Sequence, residues 1–173
     1  MFIRSERLFL RPGWPEDRRA IAALGTANAN PRHSLADQWP SRWESAQAGA
    51  AAASDPRYPR FLVTLPTGDG STIIGSLALT AQGTDAELSC AIAPDFRNRG
   101  YATEAVRSLA PLARILGHRR LIARHGADDR AAARMLRKAG YCPMISARAY
   151  LVHALDLARP DDCDGDDRVR RAA

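Results

Sequence analysis

The sequence predicts a mixed α/β layer fold, on three observations. Strand-like and helix-like stretches follow one another in the order β–α–α–β–β–β–α–β–α–β–β. Two β-rich runs, "RFLVTL" (60–65) and "TIIGSLALT" (72–80), are joined by "PTGDGS", a turn signal that calls for an antiparallel hairpin. Residues 86–124 then pass from a strand through a short loop into a helix and on to a further strand. With 173 residues, 46% of them hydrophobic, the chain can bury one ordinary domain core.

Each element has a local reason. "ERLFLR" (6–11) alternates and reads as a first strand, broken by Pro12, Gly13 and Pro15. "PEDRRAIAALGTAN" carries acids in its first turn and apolar residues three apart at Ile21 and Leu24, which predicts a helix. A second helix is expected within "ESAQAGAAAASD", where the pattern is weaker. "AELSCAIA" (86–93) sets Leu88, Cys90 and Ile92 against Glu87, Ser89 and Ala91 on two faces, and Pro94 ends it.

After Gly100, apolar residues at Ala102, Ala105, Val106, Leu109, Leu112 and Leu116 trace one buried helix face. Pro111 inside that helix should bend or shorten it, and Gly117 stops it. "RRLIARHG" (119–126) is a short strand. "DDRAAARMLRKAG" (128–140) is a helix with acids first, cations last and Gly140 as its stop. One or two strands should close the domain. From Pro160 the segment "PDDCDGDDRVRRAA" has five acids, three arginines and hardly an apolar side chain, so residues 1–159 are expected to fold and 160–173 to form a disordered tail.

The bulk numbers exclude several classes. The net charge of +6 suits polyanions and phosphorylated cofactors, but the arginines are scattered and aromatics are only 6%, which speaks against a nucleic-acid surface. Cys90, Cys142 and Cys163 show neither CxxC spacing nor paired histidines, so reduced cysteines and no zinc site are expected. His33, His118, His125 and His153 lie in separate segments without ligand spacing, and no metal is expected. Charges at positions 4, 6 and 7 interrupt any secretory signal, and no apolar run approaches the roughly 20 residues that cross a bilayer. A cytoplasmic protein without membrane contact follows, with monomer and homodimer both open.

The chemistry is concentrated in "DFRNRGYATEAV" (95–106). A helix entrance presents backbone N–H groups with no internal partner, together with a partial positive charge, and both favour a phosphate. Gly100 lets an anion approach the backbone and reaches dihedrals that turn successive N–H groups inward. Arg97 and Arg99 add charge suited to a diphosphate, and Thr103 adds a donor beside small Ala102. Neither GxxxxGK[ST] nor GxGxxG is present, so neither a P-loop nor a Rossmann site is expected.

"RNRGYA" matches the Arg/Gln-x-x-Gly-x-Gly/Ala loop of the GNAT N-acetyltransferases, and "RNRGYATEA" resembles their ribosomal-protein-alanine acetyltransferase branch. "RSERLFLRPGWPED", "AELSCAIAPDFRNRGYATEA" and "DDRAAARMLRKAGY" resemble further segments of that branch in order, so the resemblance spans roughly residues 5–157. It implies a mostly antiparallel sheet whose fourth and fifth strands splay apart, helices on both faces, and acetyl-coenzyme A between the splayed strands.

On that resemblance the amides of Arg99, Gly100, Tyr101, Ala102 and Thr103, with Arg97 and Asn98 beside them, hold the pyrophosphate. Ala91, Ile92 and Ala93 bind the pantetheine arm, and Glu87 is the base, acting through water. Asp129 stands where the family has a cofactor-contacting Asn. Ala132 replaces a proton-donating Ser, leaving the general acid open; Tyr141, in the usual Phe position, is a core aromatic or a substitute acid. Trp14, Trp39 and Trp43 line an acceptor pocket or the core. The implied reaction is acetyl transfer from acetyl-coenzyme A to a primary amine, either a protein N-terminus or a small molecule. The altered positions keep a second reading open, a catalytically weak acyl-coenzyme A binder.

Overall fold

The structure, a computed structural model, describes residues 1–27, 55–68, 70–146 and 150–159. The expected second helix, Trp39, Trp43, His33, Cys163 and the 160–173 tail lie outside the described residues.

Eight strands form one sheet in the order β1-β2-β3-β4-β5-β6-β8-β7: β1 (Ile3–Arg4), β2 (Phe9–Arg11), β3 (Arg60–Thr67), β4 (Gly70–Gln82), β5 (Asp85–Ile92), β6 (Arg120–Gly126), β7 (Cys142–Ser146) and β8 (Tyr150–Asp156). A short 3-10 turn at Pro15–Asp17 leads into α1 (Arg18–Ala27), and α2 (Tyr101–Ile115) and α3 (Arg130–Lys138) flank β6 in the chain. The two-residue strand β1 adds an edge to the expected set, so the strand expected fourth is β5. It has too few residues for any periodicity to show.

Neighbouring strands pair antiparallel everywhere except at β5–β6, which are parallel because α2 carries the chain back across the sheet between them. The β3–β4 hairpin forms as its turn chemistry predicts, with a register irregularity between Val63 and Thr64.

One large core lies on a single face of the sheet. Ala105, Val106, Leu109 and Ala113 of α2 meet Leu136 and Ala139 of α3 over Leu8, Leu10, Leu77, Leu79, Leu88, Leu121 and Tyr141. The face of α2 recurs with helical period; burial of Leu109 alone contributes about 2 kcal/mol. Ile21 of α1 is buried outside this cluster. Leu62, Thr64, Ser76 and Ala78 are buried outside it too, so the second face of the sheet is also covered. Pro111 neither stops nor shortens α2, which continues to Ile115. Pro111 and Arg107 are both exposed, so the carbonyl freed by the missing N–H is left to water.

Side-chain clasps fix the rest. Arg11 and Asp17 form a buried bidentate pair at 2.6 and 2.8 Å, and Asp17 also accepts from the Trp14 amide at 2.7 Å. The Arg11 hydrogen bonds outweigh burial and hold the Asp17 carboxyl below its ordinary pKa. Trp14 stays partly exposed, lying over the Arg11 guanidinium at 4.2 Å. His118 Nε2 meets the Arg57 carbonyl at 2.6 Å, and so pins the segment that enters β3. Cys90 is a free thiol.

His125 and His153 sit side by side on β6 and β8 beneath α3. Nδ1 of His125 lies 2.8 Å from the Gly126 carbonyl, which can only accept, so that nitrogen carries the proton. Nε2 of His125 therefore accepts from Nδ1–H of His153 at 3.2 Å. Burial, then repulsion from His125 in its protonated form and from the Arg137 cation, push the His153 pKa below 6.5. The fold thus favours neutral His153, whereas the unfolded chain takes up a proton near pH 6.5. Below that value the unfolded state binds more protons, so stability falls as pH drops through the folded pKa. Urea midpoints measured at pH 8 and pH 5.5 should show this loss, and His153→Gln should reduce the difference between them.

Candidate active site

The site begins where β5 and β6 part. Their parallel pairing consists of Ala86 with Leu121 and Glu87 with Ile122, and no pairing follows. The edge of β5 that is left open can be identified. The Ala93 amide donates to the Ile74 carbonyl at 2.8 Å, so Ala93, and by alternation Ala91 and Ser89, turn their backbone groups toward β4. Cys90 and Ile92 turn theirs toward β6, which has moved away. The Ile92 carbonyl accepts from Arg97 Nε at 2.9 Å. The N–H and C=O of Cys90 and the N–H of Ile92 therefore have no strand partner among the described residues. Of the three residues expected here, the gap-facing one is Ile92, and Cys90 joins it. Burial pushes the Cys90 thiol up to about 12, so the side chain is inert and its backbone is the usable part.

Gly75 makes this geometry possible. It stands opposite Ile92, and a Cβ there would lie 2.2 Å from the Ala91 carbonyl oxygen and 2.8 Å from Ile92 Cδ1. Only glycine lets β4 approach this end of β5 so closely.

Beyond β5 the chain makes a 3-10 turn, Pro94–Phe96, and enters α2 through two left-handed residues, Asn98 (φ 60°) and Gly100 (φ 82°). Gly100 is the N-cap and offers no side chain; the first amide of the helix to find a backbone acceptor is that of Glu104, on Gly100 at 3.1 Å. The amides from Asn98 to Thr103 have no hydrogen-bond acceptor among the described residues. They are not closed by the protein's own groups, and the loop is exposed through Gly100. Arg99 lies in it, its guanidinium 5.9 Å from the Phe96 ring. Arg97 does otherwise: its Nε braces the end of β5.

Glu87 projects on the face opposite the large core. Its Oε2 pairs with Nη1 of Arg124 at 2.5 Å across the point where the strands separate. Among the described residues Oε1 has no partner. Among the described residues Asp129 makes no hydrogen bond or ion pair with this group. It is exposed and caps α3, its Oδ1 accepting from the Ala132 amide at 2.8 Å. The Tyr141 ring is buried in the core; its hydroxyl has no partner among the described residues, and burial, with the Cys90 thiol nearby, raises its pKa. Among the described residues no group of three or more His, Cys, Asp and Glu side chains could hold a metal ion, and no helix is long and apolar enough to cross a membrane.

Three neighbours escaped the sequence reading: Arg7, Glu104 and Arg124. Glu104 carried a usable signal, since a first-turn carboxylate beside a loop with two arginines is placed to form an ion pair.

Two diverging parallel strands leading into an uncapped helix entrance match a known architecture. The sequence model of the acetyltransferase (GNAT) domain matches residues 7–141. The chain belongs to the GNAT acetyltransferase family. Its fold resembles that of a GNAT-family acetyltransferase from Bacillus anthracis (20% identity, TM-score 0.67, covering 91% of this chain and 99% of that one). It also resembles Mycobacterium smegmatis RimJ in complex with CoA-disulfide (19% identity, TM-score 0.64, 92% and 91% covered). A spermidine N-acetyltransferase chimera from Vibrio cholerae and hSSAT is similar as well (16% identity, TM-score 0.67, 91% and 99% covered). At these identities the likeness is one of fold. No curated protein matches the chain by sequence.

If Gly75 sets the approach of β4 to β5, Gly75→Ala should cost about 1–3 kcal/mol by overpacking. Thermal denaturation checks the loss, and an unchanged Tm would show that β4 approaches β5 without needing glycine there.

Proposed function

We propose that this GNAT protein transfers an acetyl group from acetyl-coenzyme A directly to a primary amine. The observation that carries the reading is two sets of backbone groups without a partner among the described residues, the Cys90 groups and Ile92 N–H in the gap and the amides of Asn98 through Thr103, joined by one short turn. A pantetheine arm, with amides of its own, and a diphosphate need that succession of partners. The residues fit the cofactor: Gly100 is left-handed and bare, the helix entrance is uncapped, and Arg99 supplies charge. When bound, acetyl-coenzyme A contributes an activated acetyl thioester.

The chain's own residues would do the remaining work. The open N–H groups of β5 hold the thioester end still and place a donor where negative charge develops on its carbonyl oxygen. Glu87, fixed by Arg124 through one oxygen, keeps Oε1 free to draw a proton from the incoming ammonium through water. Ala91 and Ala93 support the gap through their bonds to β4, Arg97 keeps the strand end in place, and Asp129 serves its own helix. The acceptor is a primary amine, whether a protein N-terminus or a small molecule such as a polyamine.

Calorimetric titration with coenzyme A should give binding that Gly100→Asp and Arg99→Glu weaken at least about tenfold. Thiol release with a panel of amines should depend on both acetyl-coenzyme A and acceptor. Cofactor binding without acceptor-dependent turnover would instead support the acyl-coenzyme A binder, which Ala132 and the capping role of Asp129 favour. Absence of coenzyme A binding would exclude both.

Glu87→Gln should lower kcat/KM by roughly a hundredfold or more while leaving coenzyme A affinity within about twofold. An unaltered pH–rate profile in that variant would remove Glu87 from the chemistry.

A further inference from the structure

Arg7 comes from the turn between β1 and β2, far in sequence from the helix entrance, yet its amide and all three guanidinium nitrogens are bound to it. Its amide donates to Glu104 Oε1 at 2.7 Å, its Nε to Oε2 at 2.8 Å, and its Nη2 pairs with Oε2 at 2.8 Å. Nη1 donates to the Arg99 carbonyl at 3.2 Å. The guanidinium lies 4.7 Å from the centre of the Tyr101 ring, and Nη2 would be 3.4 Å from a Cβ on Gly100. Ser5 Oγ adds a hydrogen bond to Glu104 Oε1 at 2.7 Å.

Glu104 makes this arrangement consequential. It stands four residues past Gly100, about 6 Å along the helix. A carboxylate there suits the helix dipole but repels a diphosphate at the same helix end. Its environment keeps it charged: burial would raise its pKa, but the bonds from Arg7 and Ser5 outweigh that and lower it. Without Arg7, a glutamate with an ordinary pKa of about 4.3 is still ionised at neutral pH and would face the anion as an uncompensated negative charge.

We infer that Arg7 is a positioning residue for the diphosphate, cancelling the charge of Glu104 and holding Arg99 and Gly100 in the open conformation. The inference rests on the coenzyme A reading above. It adds a part of the site supplied from the N-terminal edge of the sheet, so diphosphate affinity depends on the β1–β2 turn.

Calorimetric titration of the full chain with coenzyme A and with pantetheine, which lacks the diphosphate, tests it. Arg7→Ala should weaken coenzyme A at least about tenfold and leave pantetheine within about twofold. Adding Glu104→Gln to Arg7→Ala should recover most of the lost affinity, because it removes the uncompensated charge without restoring the clasp. If Arg7→Ala does not fold, Arg7→Gln carries the same expectations. Equal loss for both ligands, or no recovery in the double variant, would overturn charge cancellation and leave only a structural clasp. Unchanged coenzyme A affinity in Arg7→Ala would overturn the inference alone, whereas a wild-type chain that binds no coenzyme A would overturn the functional reading with it.

Discussion

The separation of two parallel strands after a single short contact governs this structure. Once Glu87 has paired with Ile122, β5 follows β4 and β6 follows β8, and hydrogen-bonding groups on the inner edge of β5 lose their partners. Buried or half-buried backbone groups left unpaired are costly unless water or a ligand satisfies them. The divergence therefore creates a demand for a polar, extended occupant. Gly75 belongs to the same constraint, because β5 can leave β6 only if β4 is able to follow it closely.

Recognition along such an edge is carried by main-chain atoms, so the strand can vary in sequence and keep its function. The open edge of β5 belongs to a half-buried cysteine and an isoleucine, neither of which has side-chain chemistry to advertise it. The charged side chains serve a second purpose. Arg120 pairs with Asp85 and Arg124 with Glu87 on either side of the fork, Arg97 closes the Ile92 carbonyl, and Arg7 covers Glu104. Much of the basic excess that suggested a polyanion partner is thus committed to holding strands and loop in register.

What was legible in the sequence follows from how local each signal is. The β3–β4 hairpin, the alternation of β5 and the buried stripe of α2 are period and turn signals, and they were readable to within a few residues. The loop from Arg97 to Thr103 was readable because glycine between cations at a helix entrance has a mechanism behind it. Arg7 was not, since its importance arises from a contact 97 residues away in the chain. Nor were the backbone contacts of Arg97 and Asp129, with the Ile92 carbonyl for one and the Ala132 amide for the other. Periodicity shows which face a residue occupies, but competition between nearby hydrogen-bond partners is settled only in three dimensions.

The residues that are absent fit the same picture. Ala132 cannot donate a proton, and the Tyr141 hydroxyl is shut in the core, so neither of these positions supplies an acid. Under the proposed chemistry none is required. A thiol has a pKa near ~8.5 and leaves as a thiolate far more readily than an alkoxide would, so protonation can follow departure and come from water. The demanding steps are removing a proton from the ammonium and holding the carbonyl still. Those are the steps for which the fork provides Glu87 and an unpaired strand edge.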